Sequence, residues 1–348
     1  MHIDGREIGT DHPPYLIAEM SNNHLCNLDR AIAIIDAAVD AGADAVKIQT
    51  YTADSLTIDC DKADFIIQDP LWYGKSYYKL YQEIAMPLEW TQKIFTHAKK
   101  RGITLFSSPF DEQTIELLEN LNCPAYKIAS FEAQDKKLIQ RIAQTKKPII
   151  ISSGVSTLLE MRTSLDVARA AGAREIAVLH CVSSYPCSTA DMNLKALIQL
   201  KALSTEIGLS DHSLSNLAAI TSIALGASII EKHLTLNRND GGPDAAFSLE
   251  PNEFQTLVQD SRAAYEALGN ANVLAMPKRK GFQHARSLYA TRDIKAGTKL
   301  DDSNVRLIRP GFGLPPCDME EVMGAKAKLD IERGTALKWS LIDKKSNQ

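Results

Sequence analysis

Lys47 and Lys127 each stand inside an apolar run, "ADAVKIQT" (43–50) and "AYKIAS" (125–130). An unpaired ammonium is costly to bury, so lysines in two separate runs point to an anion held between them. Hydroxyls collect where such runs end, at Ser107-Ser108, Ser130, Ser152-Ser153, Ser183 and Ser210. Cations with hydroxyl donors suit a phosphate carried by a small anion. His212 in "GLSDHS" and His233 in "EKHLTL" follow two successive runs. Two imidazoles with positions left open for ligand oxygens suit a divalent cation acting as a Lewis acid. Glu19 and Glu132 have no evident local partner and read as bases or substrate hydrogen-bonders. The adjacent Glu231 and Lys232 have a plainer reading, a salt-bridged pair beside His233.

The elements that must position these residues follow one pattern. A helical stretch ends in a small residue and a glycine, and a β-branched run follows at once, as in "AAVDAGADAVKIQ" (37–49) and "SIALGASIIEKH" (222–233). Gly42, Gly102, Gly172 and Gly226 suit left-handed helix ends. The runs are continuous rather than alternating, which marks strands buried on both faces and hence a parallel sheet. Eight strands are expected near 15–19, 44–49, 103–107, 124–129, 148–152, 175–180, 206–209 and 228–232, with a last helix over 251–268. Eight such units have the size of a (β/α)8 TIM barrel, with its active site at the carboxyl ends of the strands. A doubly wound open sheet is the alternative, but no Gly-x-Gly-x-x-Gly follows the first strand. Residues 54–90 form a long insertion on the active-site side. The pattern divides the chain into a barrel over 1–268, a linker over 269–283 and a small β-rich domain over 284–348. That last region repeats itself: "DIKAGTKL" (293–300) and "DIERGTAL" (330–337) imply pseudo-twofold symmetry.

The 348 residues carry a formal net charge of −4, which provides no basic field for nucleic acid or an anionic membrane. No apolar run is long enough to span a bilayer, and Met1–Thr10 lacks the apolar core of a signal peptide. Six scattered cysteines form no Cys-x-x-Cys pair, so we expect reduced thiols and a cytoplasmic location, with a Cys181–Cys187 disulfide as the alternative.

Eight strings occur in order: "AEMSNNH", "VKIQTY", "FSSPFD", "YKIAS", "ISSG", "HCVSSYP", "GLSDHS" and "EKHLTL". Together they resemble the sialic acid synthase family over essentially the whole chain. The stretch "ARSLYATRDIKAGTKL" (285–300) is similar to the start of that family's antifreeze-like (SAF) domain. Within the family, "DPLWYGKSYYKLYQEIAMPLEW" (69–90) and "DGGPDAAFSLEP" (240–251) resemble the pseudaminic acid synthases. N-acetylneuraminate synthases typically place His where this chain has Ala245, and an Ala245-Ala246-Phe247 rim suits a deoxy sugar with a methyl group. The resemblance implies condensation of phosphoenolpyruvate with 2,4-diacetamido-2,4,6-trideoxy-L-altrose; legionaminic or N-acetylneuraminic acid is the alternative product. It implies that Lys47, Lys127, Ser130, Ser152, Ser183 and Ser210 hold phosphoenolpyruvate. It gives the metal, Mn²⁺ with Mg²⁺ or Co²⁺ as alternatives, to His212 and His233. It places Glu19, Gln49, Glu132, Tyr185 and Asp244 against the sugar or the attacking water, and makes Glu19, Glu132 and His233 the catalytic set. It also implies a domain-swapped homodimer in which Arg286 of one chain caps the barrel of the other. Two other classes compete. A metal-dependent barrel hydrolase would usually want more ligands, such as a His-x-His after the first strand, which is missing here. A non-catalytic ice-binding protein would need a flat, Thr-spaced face, whereas "TRDIKAGTK" and "ERGTALK" are charged.

Overall fold

The computed structural model describes residues 1–68, 73–184, 186–204, 206–275 and 280–343. After a short hairpin of His2–Ile3 and Arg6–Glu7, eight parallel strands close a barrel. They are β1 (Tyr15–Glu19), β2 (Ala45–Thr50), β3 (Thr104–Pro109), β4 (Tyr126–Ile128), β5 (Ile149–Ser152), β6 (Ile176–Cys181), β7 (Glu206–Asp211) and β8 (Ile229–His233). β8 pairs with β1, with His233 opposite Glu19, so the sheet has no edge and the open-sheet alternative is excluded.

The helices explain why the runs read as continuous. α1 (Leu28–Asp40), α2 (Thr91–Arg101), α3 (Glu112–Asn120), α4 (Lys136–Gln144), α5 (Leu158–Ala170), α6 (Ala196–Leu200), α7 (Leu217–Ala224) and α8 (Pro251–Leu268) cover the outer face of the sheet. Each strand is therefore buried on both sides, and residues such as Ile17, Val46, Ile150 and Val178 are fully enclosed. Helix starts are chemically marked: Asp111 caps α3 by accepting from Thr114 N at 2.7 Å, and Thr157 and Glu160 cap α5 reciprocally. Helix ends use the expected glycines, with φ of +83° at Gly42, +72° at Gly102, +110° at Gly172 and +98° at Gly226. The insertion after β2 folds into short helices over Ala53–Leu56 and Tyr77–Ile84, closed by an antiparallel bridge between Ile66 and Ser76.

Chain contacts divide the molecule into units of Met1–Gly269 and Asn270–Gln348. The second unit pairs β9 (Ser287–Ala290) with β10 (Val305–Ile308), and β11 (Lys326–Ala327) with β12 (Ile342–Asp343). Its two sequence repeats meet at an antiparallel bridge between Ile294 and Ile331. The polar contacts are reciprocal. Asp293 Oδ1 accepts from Arg333 N at 2.8 Å, and Asp330 Oδ1 accepts from Ala296 N at 2.8 Å. Gly297 N donates to Ala327 O at 2.7 Å, and Gly334 N donates to Ala290 O at 2.8 Å. Leu300 and Leu337 occupy equivalent buried positions. The repeated string thus builds two half-modules that complete each other.

Candidate functional site

Side chains alternate along a strand, so residues two apart share a face. Lys47 and Gln49 of β2, Ser210 of β7 with His212 beyond it, and Glu231 and His233 of β8 all face the lumen at the carboxyl ends of the strands. Glu19, Lys127, Ser130, Glu132, Ser152 and Asp244 join them around a cavity of about 220 Å³.

Four charges form its floor. Lys47 Nζ lies 2.7 Å from Glu19 Oε2 and 3.9 Å from Glu231 Oε1. Lys127 Nζ donates to Ser152 Oγ at 2.6 Å and stands 3.7 Å from Glu231 Oε1. Ser210 Oγ donates to the same carboxylate oxygen at 2.9 Å. Enclosed charges persist only when paired, and here two ammonium groups balance two carboxylates. Burial works against the Lys47 charge, but Glu19 and Glu231 outweigh it and raise its pKa. Burial pulls Lys127 below the ordinary lysine value. Burial pushes Glu132 and Asp244 above the usual carboxylate range.

From the floor a hydrogen-bond chain climbs one wall. Gln49 Nε2 donates to Glu19 Oε1 at 2.9 Å and to Ser21 Oγ at 3.0 Å, and Ser21 Oγ donates to Asp244 Oδ2 at 2.5 Å. Asn22 Nδ2 reaches the same Oδ2 at 3.4 Å, and Tyr51 OH donates to Asn22 Oδ1 at 3.0 Å. Ser21 holds a left-handed φ of +45°, a strain the surrounding bonds sustain. Apolar groups complete the lining: Leu56 and Tyr81 from the insertion, with the Tyr51 ring, Phe110 and Phe131. Three buried polar atoms at this site have no hydrogen-bond partner among the described residues: Glu132 Oε2, Glu231 Oε2 and His233 Nδ1. Unsatisfied buried atoms grouped in one cavity indicate a missing ligand.

The donor set fits a divalent metal. The His212 and His233 rings are 5.4 Å apart between centroids, and Phe247 packs edge-on against both. A carbonyl only accepts, so His212 Nδ1–H donates to Val182 O at 3.0 Å, and the ring's lone pair sits on Nε2. Burial lowers the pKa of His212, and burial with the nearby His212 and lysines lowers that of His233 further. Both rings are therefore neutral at pH 7 and able to ligate. Among the described residues no group of three or more His, Cys, Asp and Glu is arranged to hold a metal, and the two imidazoles are the donors that would hold one at this cavity.

The structure revises several sequence readings. Glu19 is not unpartnered; it pairs with Lys47. Glu231 and Lys232 are not a pair, because strand alternation turns them to opposite faces: Glu231 meets the two lysines, while Lys232 pairs with Asp211 at 2.8 Å behind the strand. Ala245 and Phe247 are buried and do not line the cavity. Ser183 does not line it either; its Oγ lies 3.0 Å from Ser130 Oγ. Gly154 keeps this corner tight, since a Cβ there would sit 2.1 Å from Ser130 Cβ. Tyr185 lies outside the described residues. Arg286 belongs to the second unit, exposed on an open groove with Arg306 and Arg309. Cys181 and Cys187 are free thiols, as are the other four cysteines. Sequence reasoning missed Glu231 as a site residue, although its i,i+2 relation to His233 was a usable signal. It also missed Tyr51, Leu56, Tyr81 and Phe110, for which local sequence offers no comparable signal.

A closed (β/α)8 barrel with paired charges and neutral histidines at the carboxyl ends of its strands defines a barrel-enzyme site, joined in one chain to a small two-repeat module. The chain belongs to the NeuB family, whose model matches residues 34–273, and an SAF domain matches residues 285–343. It is 45% identical to a pseudaminic acid synthase of Campylobacter jejuni over 95% of this chain and 97% of that one. It is 32% identical to an N,N'-diacetyllegionaminic acid synthase of Legionella pneumophila over 96% of each chain. Among solved structures, the N-acetylneuraminic acid synthetase of Leptospira borgpetersenii superposes with a TM-score of 0.71 at 28% identity, covering 81% of this chain and 93% of that one.

Proposed function

We propose that this chain condenses phosphoenolpyruvate with 2,4-diacetamido-2,4,6-trideoxy-L-altrose and water to give pseudaminic acid and phosphate. The carrying observation is the convergence of Lys47, Lys127, His212, His233 and four carboxylates on one cavity. The choice of sugar rests on 45% identity to the Campylobacter enzyme against 32% to the legionaminic one. Lys47 and Lys127, with Ser130, Ser152 and Ser210, hold phosphoenolpyruvate, and Ser183 supports Ser130 from behind. Gln49 and Asp244 meet the sugar along the polar wall. Tyr185 belongs to the same substrate-binding set by family resemblance.

His212 and His233 hold a divalent cation, Mn²⁺ or alternatively Mg²⁺ or Co²⁺, which when bound supplies Lewis-acid polarisation of the aldehyde. The enol carbon of phosphoenolpyruvate attacks that aldehyde and leaves a cationic centre at the phosphate-bearing carbon. The Glu132 carboxylate, buried with Oε2 unpartnered, takes a proton from the water that adds there. Phosphate then leaves by C–O cleavage. Glu19, fixed by Lys47 and Gln49, contributes negative charge beside the reacting carbons.

Phe131 lines the cavity yet stays exposed, an apolar surface that suits closure over a water-sensitive intermediate. Our reading is a homodimer in which the second unit of each chain closes the partner's barrel and presents Arg286. Mixing inactive Arg286→Ala and His233→Ala chains under demonstrated exchange should restore about a quarter of the sites, and no recovery would refute the crossed arrangement. The family's small-molecule chemistry and a cytoplasmic setting complete the reading. Among the described residues no helix is long and apolar enough to cross a membrane. A phosphate-release assay over a sugar panel, with mass spectrometry of products, tests the reaction. More efficient turnover of N-acetylmannosamine, or of the legionaminic acid precursor, would overturn the sugar assignment.

A further inference from the structure

Lys232 points away from the cavity that its neighbours Glu231 and His233 line. Its side chain is 0% exposed, as is that of Asp211, its ionic partner. An ammonium has three donors, and here all three are used. Nζ donates to Asp211 Oδ2 at 2.8 Å, to Ser213 O at 2.5 Å and to Ser215 O at 3.1 Å. Asp211 and Ser213 flank His212 directly, and Asp211 Oδ1 also accepts from Ser213 N at 2.9 Å. The backbone on both sides of His212 is thereby tied to one point on β8, while its ring is tied to Val182 O.

We propose that Lys232 is a positioning residue that holds His212 at the separation from His233 needed for both to ligate one divalent cation; the inference rests on the metal reading above. Alternation along β8 makes this economical, because consecutive residues carry one ligand and the clamp for the other on opposite faces. A buried ion pair is in itself a poor source of stability and is often replaceable by apolar side chains, so a wholly enclosed Lys–Asp pair at this point is better explained by placement than by stability. Groups that orient metal ligands from behind control affinity without touching the metal.

The test uses the full chain with Mn²⁺ alone as the probe, followed by calorimetry and by the electron paramagnetic resonance of free Mn²⁺. Folded Lys232→Met should bind Mn²⁺ about 10–100-fold more weakly, and Asp211→Asn about tenfold, with phosphoenolpyruvate affinity in EDTA within about twofold of wild type. A merely stabilising pair would lower the melting temperature and leave the Mn²⁺ affinity of the folded protein unchanged; that result for Lys232→Met overturns the proposal. Where Lys232→Met does not fold, Asp211→Asn decides by the same criterion. His212→Ala serves as the control: Mn²⁺ bound as tightly as by wild type would refute the metal reading, and the clamp with it.

Discussion

The two units treat polarity in opposite ways. The barrel encloses Glu19, Lys47, Lys127, Asp211, Glu231 and Lys232. In the described part of the second unit, the buried polar residues are Ser287 and Asn304, each satisfied by a backbone carbonyl, at 2.7 Å from Pro310 O and 2.9 Å from Lys299 O. Its structural aspartates, Asp293 and Asp330, stay exposed and tie one repeat to the other. Enclosing charge is costly, so a fold does it where something is gained. At the barrel mouth three buried polar atoms, Glu132 Oε2, Glu231 Oε2 and His233 Nδ1, have no hydrogen-bond partner among the described residues. The contrast separates polar residues that hold a fold from polar residues that await a ligand.

The strongest challenge to that contrast is metal removal. EDTA should abolish activity and Mn²⁺ should restore it, and His212→Ala should cost at least about a hundredfold; full turnover in metal-free buffer would leave the neutral imidazole pair without a chemical role. Glu132 comes next. Burial raises its pKa, and the carboxylate is the active form, so kcat/KM should fall with decreasing pH through a value above the ordinary carboxylate range. Glu132→Gln should remove that acid limb and lower kcat by about 10²–10⁴-fold. An unchanged pH profile in the variant would assign the limb to another group.

Lys47→Ala and Lys127→Ala should each raise KM for phosphoenolpyruvate by about 10–150-fold, the equivalent of about 1.5–3 kcal/mol for a charge-assisted contact, with less effect on KM for the sugar. Equal changes for both substrates would make these lysines part of the scaffold. The smallest effects belong to the exposed aspartates of the second unit. Asp293→Ala and Asp330→Ala should lower its melting temperature by a few degrees and leave phosphoenolpyruvate KM unaltered. Asp330 has a lowered pKa, chiefly from its bond with Lys295, so its contribution is present above the unfolded-state pKa and is lost as pH falls through the folded one. Thermal melts of Asp330→Asn should therefore diverge from wild type at neutral pH and converge in acid.

Much of this was present in the order of residues. Continuous apolar runs after glycine-ended helices determined a parallel barrel, because a strand covered on both faces has no polar side to display. The repeated "DI..GT.L" string determined a two-fold module, because each half leaves contacts for the other to complete. The lysines, serines and histidines at the run ends marked the site, since an enclosed polar side chain needs a reason. Sequence alone left open how those groups pair. Glu231 and Lys232 are neighbours in the chain, yet one meets Lys47 and Lys127 across the lumen and the other grips the loop around His212. Only closure of the barrel decides which face is lumen and which strands stand opposite. Likewise Leu56 and Tyr81 carry no chemical signal of their own, and only the fold of the insertion brings them to the cavity wall. Local periodicity specifies elements, but the partners of a buried charge are set by distances between strands far apart in sequence, and those exist only in the closed structure.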